Sequence, residues 1–66
     1  MVHVRLAGRS YDLDPRTLGL NPRMSDDDIK LRLAQHFDIA REQLNDYVVD
    51  RRPDGVFIIR PEAVYG

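Results

Sequence analysis

The chain predicts an α+β fold in which one amphipathic helix packs across a four-stranded sheet. Three observations point there. Apolar and polar residues alternate from Val2 to Leu6 and again around Tyr11 and Leu13. A helix start at Ser25 is followed by apolar residues at helical spacing. Two further strand-like runs, one at Tyr47, Val48 and Val49 and one at Val56, Phe57, Ile58 and Ile59, flank a Pro-Asp-Gly turn.

Val2, Val4 and Leu6 alternate with His3 and Arg5, the period of a half-buried strand. Ala7, Gly8 and Arg9 supply a turn, and Tyr11 and Leu13 alternate with Ser10, Asp12 and Asp14 on the return, giving a hairpin. Pro15 closes it, because proline has no amide hydrogen for the next rung. Positions 15–24, punctuated by Pro15, Gly19 and Pro22, read as a connection with Leu18, Leu20 and Met24 tucked beneath it.

Ser25 is a good N-cap, and Asp26, Asp27 and Asp28 place negative charge at the positive end of the helix dipole. Asp28 stands where a capping box has Glu or Gln. Ile29, Leu33, His36 and Phe37 mark one buried stripe, with the helix ending near Phe37 and Asp38. Three consecutive positions do not share a helix face, so the aspartates read as a helix start and not as a metal site. His36 reads as a packing residue at the stripe edge. Ala40 to Gln43, flanked by Ile39 and Leu44, suits one more short helical turn. Tyr47, Val48 and Val49 are strand formers, and a turn over 51–55 leads to the last strand. The expected core comprises Val2, Val4, Leu6, Leu13, Ile29, Leu33, Phe37, Ile39, Leu44, Val48, Phe57 and Ile59.

Composition narrows the function classes. Sixty-six residues make one domain near the lower limit for independent folding. There is no cysteine, which removes disulfides, thiolate metal sites and a cysteine nucleophile. His3 and His36 lack ligand-like spacing, so no metal is expected. No nucleophile–base pair or paired catalytic carboxylates can be assigned, so the chain does not read as an enzyme. A net charge of −1 lacks the basic excess of a nucleic-acid binder. The longest apolar run is far too short to span a bilayer and no signal peptide precedes Val2, so a cytoplasmic, monomeric protein without membrane or nucleic-acid partners is expected. Nine of the ten basic residues are arginine, which leaves Lys30 as the single side-chain amine.

The segment Arg60, Pro61, Glu62, Ala63, Val64, Tyr65 and Gly66 follows the last strand as an arm ending in glycine. Glycine has no Cβ, so another molecule can approach its carboxyl closely. A plain reading remains beside this one: Gly66 is simply where the chain stops.

Hairpin, helix, strands and an exposed arm form the order of the β-grasp fold, and the sequence resembles ubiquitin. The opening from Met1 to Leu13, with Gly8, Arg9 and Ser10 at its turn, is similar to the first hairpin of that family. Ile29, Lys30 and Leu33 sit like a Val-Lys and an Ile of its helix, and Asp38, Ile39, Glu42 and Gln43 match a Gly-Ile and an Asp-Gln. The resemblance covers most of the chain. The chain is shorter than ubiquitin and lacks a small strand and turn before the last strand. It ends in Tyr65-Gly66 where ubiquitin and the sulfur carriers of cofactor synthesis end in Gly-Gly, and Glu62 and Val64 replace tail arginines. The compact form resembles bacterial ubiquitin-like modifiers, some of which serve in antiviral defence against phage.

The resemblance implies a β-grasp domain over 1–60, with one helix across a four-stranded mixed sheet, and a tail over 61–66. It implies a protein modifier rather than an enzyme. An activating enzyme would adenylate the Gly66 carboxylate with ATP, a conjugating enzyme would pass it to a target amine as an isopeptide bond, and a deconjugating peptidase would reverse the step. No cofactor would be bound by the chain itself. Arg60, Pro61, Glu62, Ala63, Val64 and Tyr65 would be the recognition arm, reaching at most about 20 Å beyond Arg60 with Gly66. Pro61 would stiffen the arm's root. Tyr65 would fill a pocket on a partner or fold back on the domain. Lys30 would be the single lysine at which self-linked chains could form, but it lies beside the buried stripe, where it is expected to be partly covered. Two alternatives stand beside the modifier: a sulfur carrier bearing a C-terminal thiocarboxylate, and a non-conjugated binding module that recognises a partner through its sheet face.

Overall fold

The computed structural model describes residues 1–62. The chain is α+β, with a four-stranded mixed sheet and a twelve-residue helix packed on one face. In chain order the elements are β1 (Val2–Leu6), β2 (Arg9–Leu13), α1 (Pro15–Leu18), α2 (Asp26–Phe37), a 3-10 turn (Arg41–Leu44), β3 (Tyr47–Arg51) and β4 (Phe57–Pro61). The sheet order is β2-β1-β4-β3, with β1 and β4 parallel at its centre and both hairpins antiparallel.

The first hairpin turns on two residues only. Ala7 (φ 53) and Gly8 (φ 76) both lie in the left-handed region, as a primed two-residue turn requires, and Arg9 belongs to β2 instead of the turn. The connection after the hairpin is more ordered than its punctuation suggests. Asp14 caps a single helical turn, its carboxylate accepting from the Arg16 amide at 2.9 Å; Pro15 takes the first helical position, and Gly19 (φ 69) ends the turn. Leu18 and Leu20 are buried beneath this segment and Met24 is half-buried, as the sequence predicts.

Ser25 caps α2 as expected, its hydroxyl accepting from the Asp28 amide at 3.1 Å. The helix stops at Asp38, which adopts φ 55. The buried face of α2 is Ile29, Lys30, Leu33 and Ala34, and His36 lies outside it. His36 is exposed, its ring edge-on to Phe37 at 5.0 Å. The 3-10 turn occupies the expected short helical segment and buries Leu44.

The core gathers Val2, Val4, Leu18, Leu20, Ile29, Leu33, Ala34, Leu44, Phe57 and Ile59. Leu6, Leu13, Phe37 and Ile39 pack against its margin. One expected member is displaced. Val49 pairs with buried Ile59 and faces the helix, so its neighbour Val48 points to the opposite face of the sheet. A run of three strand formers does not reveal which one faces inward. β3 also extends to Arg51, beyond the predicted turn boundary.

Candidate functional site

Three places bear on function: the root of the arm, the side-chain amine of Lys30, and the sheet face away from α2.

The arm leaves from β4, a central strand, at the end where β1 turns into β2. Phe57 donates to the Met1 carbonyl at 3.1 Å, and two residues per repeat place the amides of 57 and 59 toward β1. The next amide facing β1 would be that of residue 61, where proline has none. Val4 and Ile59 are the last β1–β4 pair. Pro61 thus ends the parallel ladder, while on the other side Pro61 still pairs with Tyr47. Glu62 donates to the Asp46 carbonyl at 2.8 Å. The backbone is therefore tied to the sheet two residues past the expected boundary at Arg60. Arg60, Pro61 and Glu62 are all exposed. Ala63, Val64, Tyr65 and Gly66, with the two readings of Tyr65, lie outside the described residues.

Lys30 is 9% exposed on the buried side of α2. Its Nζ donates to the Asn45 carbonyl at 3.4 Å, bridging α2 to the end of the 3-10 turn. A lysine in this position is a packing and bridging residue.

Two of the three aspartates at the start of α2 are held by arginines. Asp26 accepts from Arg51 at 2.7 Å and Asp27 from Arg41 at 3.0 Å. Arg51 also donates to the carbonyls of Pro22 (3.0 Å) and Met24 (2.6 Å), and its guanidinium sits 5.9 Å from the Phe57 ring centroid. One side chain thereby staples β3 to the segment that leads into α2. Among the described residues no group of three or more His, Cys, Asp or Glu side chains could hold a metal ion. Nor is any helix among them long and apolar enough to cross a membrane.

The open sheet face follows from the registers. His3 opposes Asp12, Arg5 opposes Ser10, Asp50 opposes Ile58 and Val48 opposes Arg60. His3 Nδ1 lies 2.5 Å from Asp12 Oδ1, and Arg52 is 3.5 Å from Asp50. A shallow cleft of about 300 Å3 crosses this face, lined among others by His3, Arg5, Ser10, Asp12, Ile58 and Arg60. The pairing of β1 with β4 joins residues more than fifty positions apart, so the placing of Arg5 and Arg60 on neighbouring strands has no local signal in the sequence. Arg51 had one: it keeps the alternation of Tyr47 and Val49.

Compared with protein-family models, curated proteins and solved structures, the chain matches none.

Proposed function

We propose that the chain is a ubiquitin-like protein modifier of β-grasp type whose Gly66 carboxylate is joined to amines on target proteins. The observation that carries this reading is the exit of the chain. A central strand carries the backbone out of the sheet past Pro61 and Glu62, both exposed, in the direction of Gly66. The mixed sheet crossed by one helix supports the β-grasp assignment, and the resemblance of the hairpin and helix to ubiquitin supports the ubiquitin-like one.

The chemistry belongs to partner enzymes. The Gly66 carboxylate, terminal by translation or exposed by a peptidase, attacks the α-phosphate of ATP in an activating enzyme and displaces pyrophosphate. A nucleophile of that enzyme takes the acyl group and releases AMP. Passed to a nucleophile of a conjugating enzyme, the acyl carbon is attacked by a target amine, which loses a proton as the amide forms and the enzyme's nucleophile departs with that proton. The globule contributes reach and recognition. Four residues beyond Glu62 span at most about 14 Å when extended, enough to place Gly66 in a channel while the domain stays outside. Cleavage by a deconjugating peptidase would regenerate the carboxylate.

Deleting Gly66 from an N-terminally tagged chain tests this in the native host. Intact chain is expected to give higher-mass conjugates on denaturing gels, and the deletion to give none. Conjugates that persist without Gly66 would overturn the proposal. A chain carried only as a thiocarboxylate would favour sulfur transfer instead.

A further inference from the structure

Asp54 is the one aspartate of the chain followed by glycine; every other precedes a residue whose side chain shields the next backbone nitrogen, or precedes proline. Asp54 and Gly55 lie in the turn between β3 and β4, and both are exposed. With no Cβ beside it, the glycine nitrogen is the least hindered amide that a neighbouring carboxyl can meet. The turn brings the two groups together. Asp54 Oδ1 accepts from the Val56 amide at 3.2 Å, which folds the carboxyl forward along the Gly55 peptide unit. Gly55 has φ 86, and a Cβ placed on it would meet nothing within 4 Å, so the turn has room to change shape. One exposed hydrogen bond, from the Gly55 amide to the Arg52 carbonyl at 3.1 Å, occupies the nitrogen. Among the described residues no side-chain cation lies within 4 Å of the Asp54 carboxylate.

We propose that Asp54 is a site of spontaneous backbone modification, converting to isoaspartate through a cyclic imide formed with Gly55. The Gly55 nitrogen bonds to Asp54 Cγ, and one carboxyl oxygen leaves as water with the amide proton and a proton from solvent. A water molecule then opens the ring at the former main-chain carbonyl, its hydroxyl going to that carbon and its proton to the nitrogen. The chain now runs through Asp54 Cβ and Cγ and is one atom longer, its α-carboxylate is free, and its mass is unchanged. The extra atom falls inside the turn that Arg52 and Val56 close, where the Arg52 amide donates to the Val56 carbonyl at 2.8 Å, so the change is local to the end of that hairpin. The freed α-carboxylate is the feature by which a repair methyltransferase would recognise the altered chain. The inference is independent of the chemistry at Gly66.

The test is ageing of the full chain at physiological temperature and neutral pH, folded in buffer and unfolded in urea. Samples drawn over weeks are cleaved after glutamate, which releases the peptide spanning 43–62. Liquid chromatography with electron-transfer fragmentation then separates and places the isomers. A parallel sample is incubated with an isoaspartyl methyltransferase and a labelled sulfonium methyl donor, which esterify the displaced α-carboxylate. In the folded chain a second form of that peptide with equal mass is expected, carrying isoaspartate at Asp54 ahead of every other aspartate, with methyl label rising in step. Asp54→Glu should lose both signals, because its longer side chain has to close a larger, slower-forming ring. Isoaspartate in urea alone would show that the folded turn protects the Gly55 amide, and would overturn the proposal. So would its absence from both samples, an equal-mass form arising first at another aspartate, or signals that Asp54→Glu leaves unchanged.

Discussion

Lys30 shows how a residue changes meaning once its surroundings are known. In the sequence it is the single side-chain amine and hence the single lysine for self-linked chains; in the fold its stem lies in the core and its amine holds the Asn45 carbonyl. Labelling with an amine-reactive ester is expected to modify Lys30 slowly in native buffer and rapidly in urea. Equal rates would contradict its burial. The account also expects conjugates of this chain to carry it singly and not in lysine-linked chains. Arg51 changes meaning in the same way, from a turn residue to a staple with three oxygen acceptors. Arg51→Met keeps much of the stem and removes the donors. It should lower unfolding stability by about 1–2 kcal/mol in urea titration, since its hydrogen bonds are charge-assisted but partly solvated. The covering of Lys30 was readable from its place beside the buried stripe; its carbonyl partner and the acceptors of Arg51 were not, because they lie more than ten positions away.

At the scale of elements, local chemistry was legible wherever the determinants are neighbours in sequence. Ser25 and the aspartates after it mark the start of α2, and the alternation from Val2 to Leu6 marks a strand whose inner residues are Val2 and Val4. The missed element, α1, carried its own signs in Asp14, Pro15 and Gly19, but Pro15 can equally end a ladder or begin a helix. The first turn holds Ala7 in the left-handed region, where a Cβ is strained. Ala7→Asn, with the Asn-Gly pair such turns prefer, should stabilise the chain by about 1 kcal/mol, read from the urea midpoint at unchanged m-value. The cap of α1 gives a pH dependence. Hydrogen bonding from the Arg16 amide, and next from its guanidinium, holds the Asp14 carboxyl below its ordinary value of 3.8. Its contribution to stability is therefore in full above 3.8 and is lost as the pH falls through the lower, folded-state value. Asp14→Asn retains a capping side chain without the charge. The stability gap between wild type and variant should be widest near neutral pH and close on acidification. A gap that widens in acid would contradict this account of the cap.

At the scale of the whole molecule, the sequence conveyed the layers but not the order of the strands. Four strand-like runs and one helix were readable from periodicity; the central parallel pairing of β1 with β4 was not, because it joins the two ends of the described chain. That pairing determines where the arm emerges and which arginines lie on neighbouring strands. It also explains why Pro61 sits where it does: a proline in a central strand is tolerated only where a ladder stops. The proposed function rests on this exit from the central strand. Its most direct test is mass spectrometry of tagged chain purified under denaturing conditions from the native host. Digestion after glutamate suits the sequence, because Arg60-Pro61 resists trypsin and cleavage at Glu62 leaves Ala63, Val64, Tyr65 and Gly66 on any acceptor. The account predicts that four-residue remnant in amide linkage to lysines or amino termini of other proteins. An unmodified Gly66 carboxylate throughout, in cells whose activating enzyme is demonstrably present and active, would contradict it.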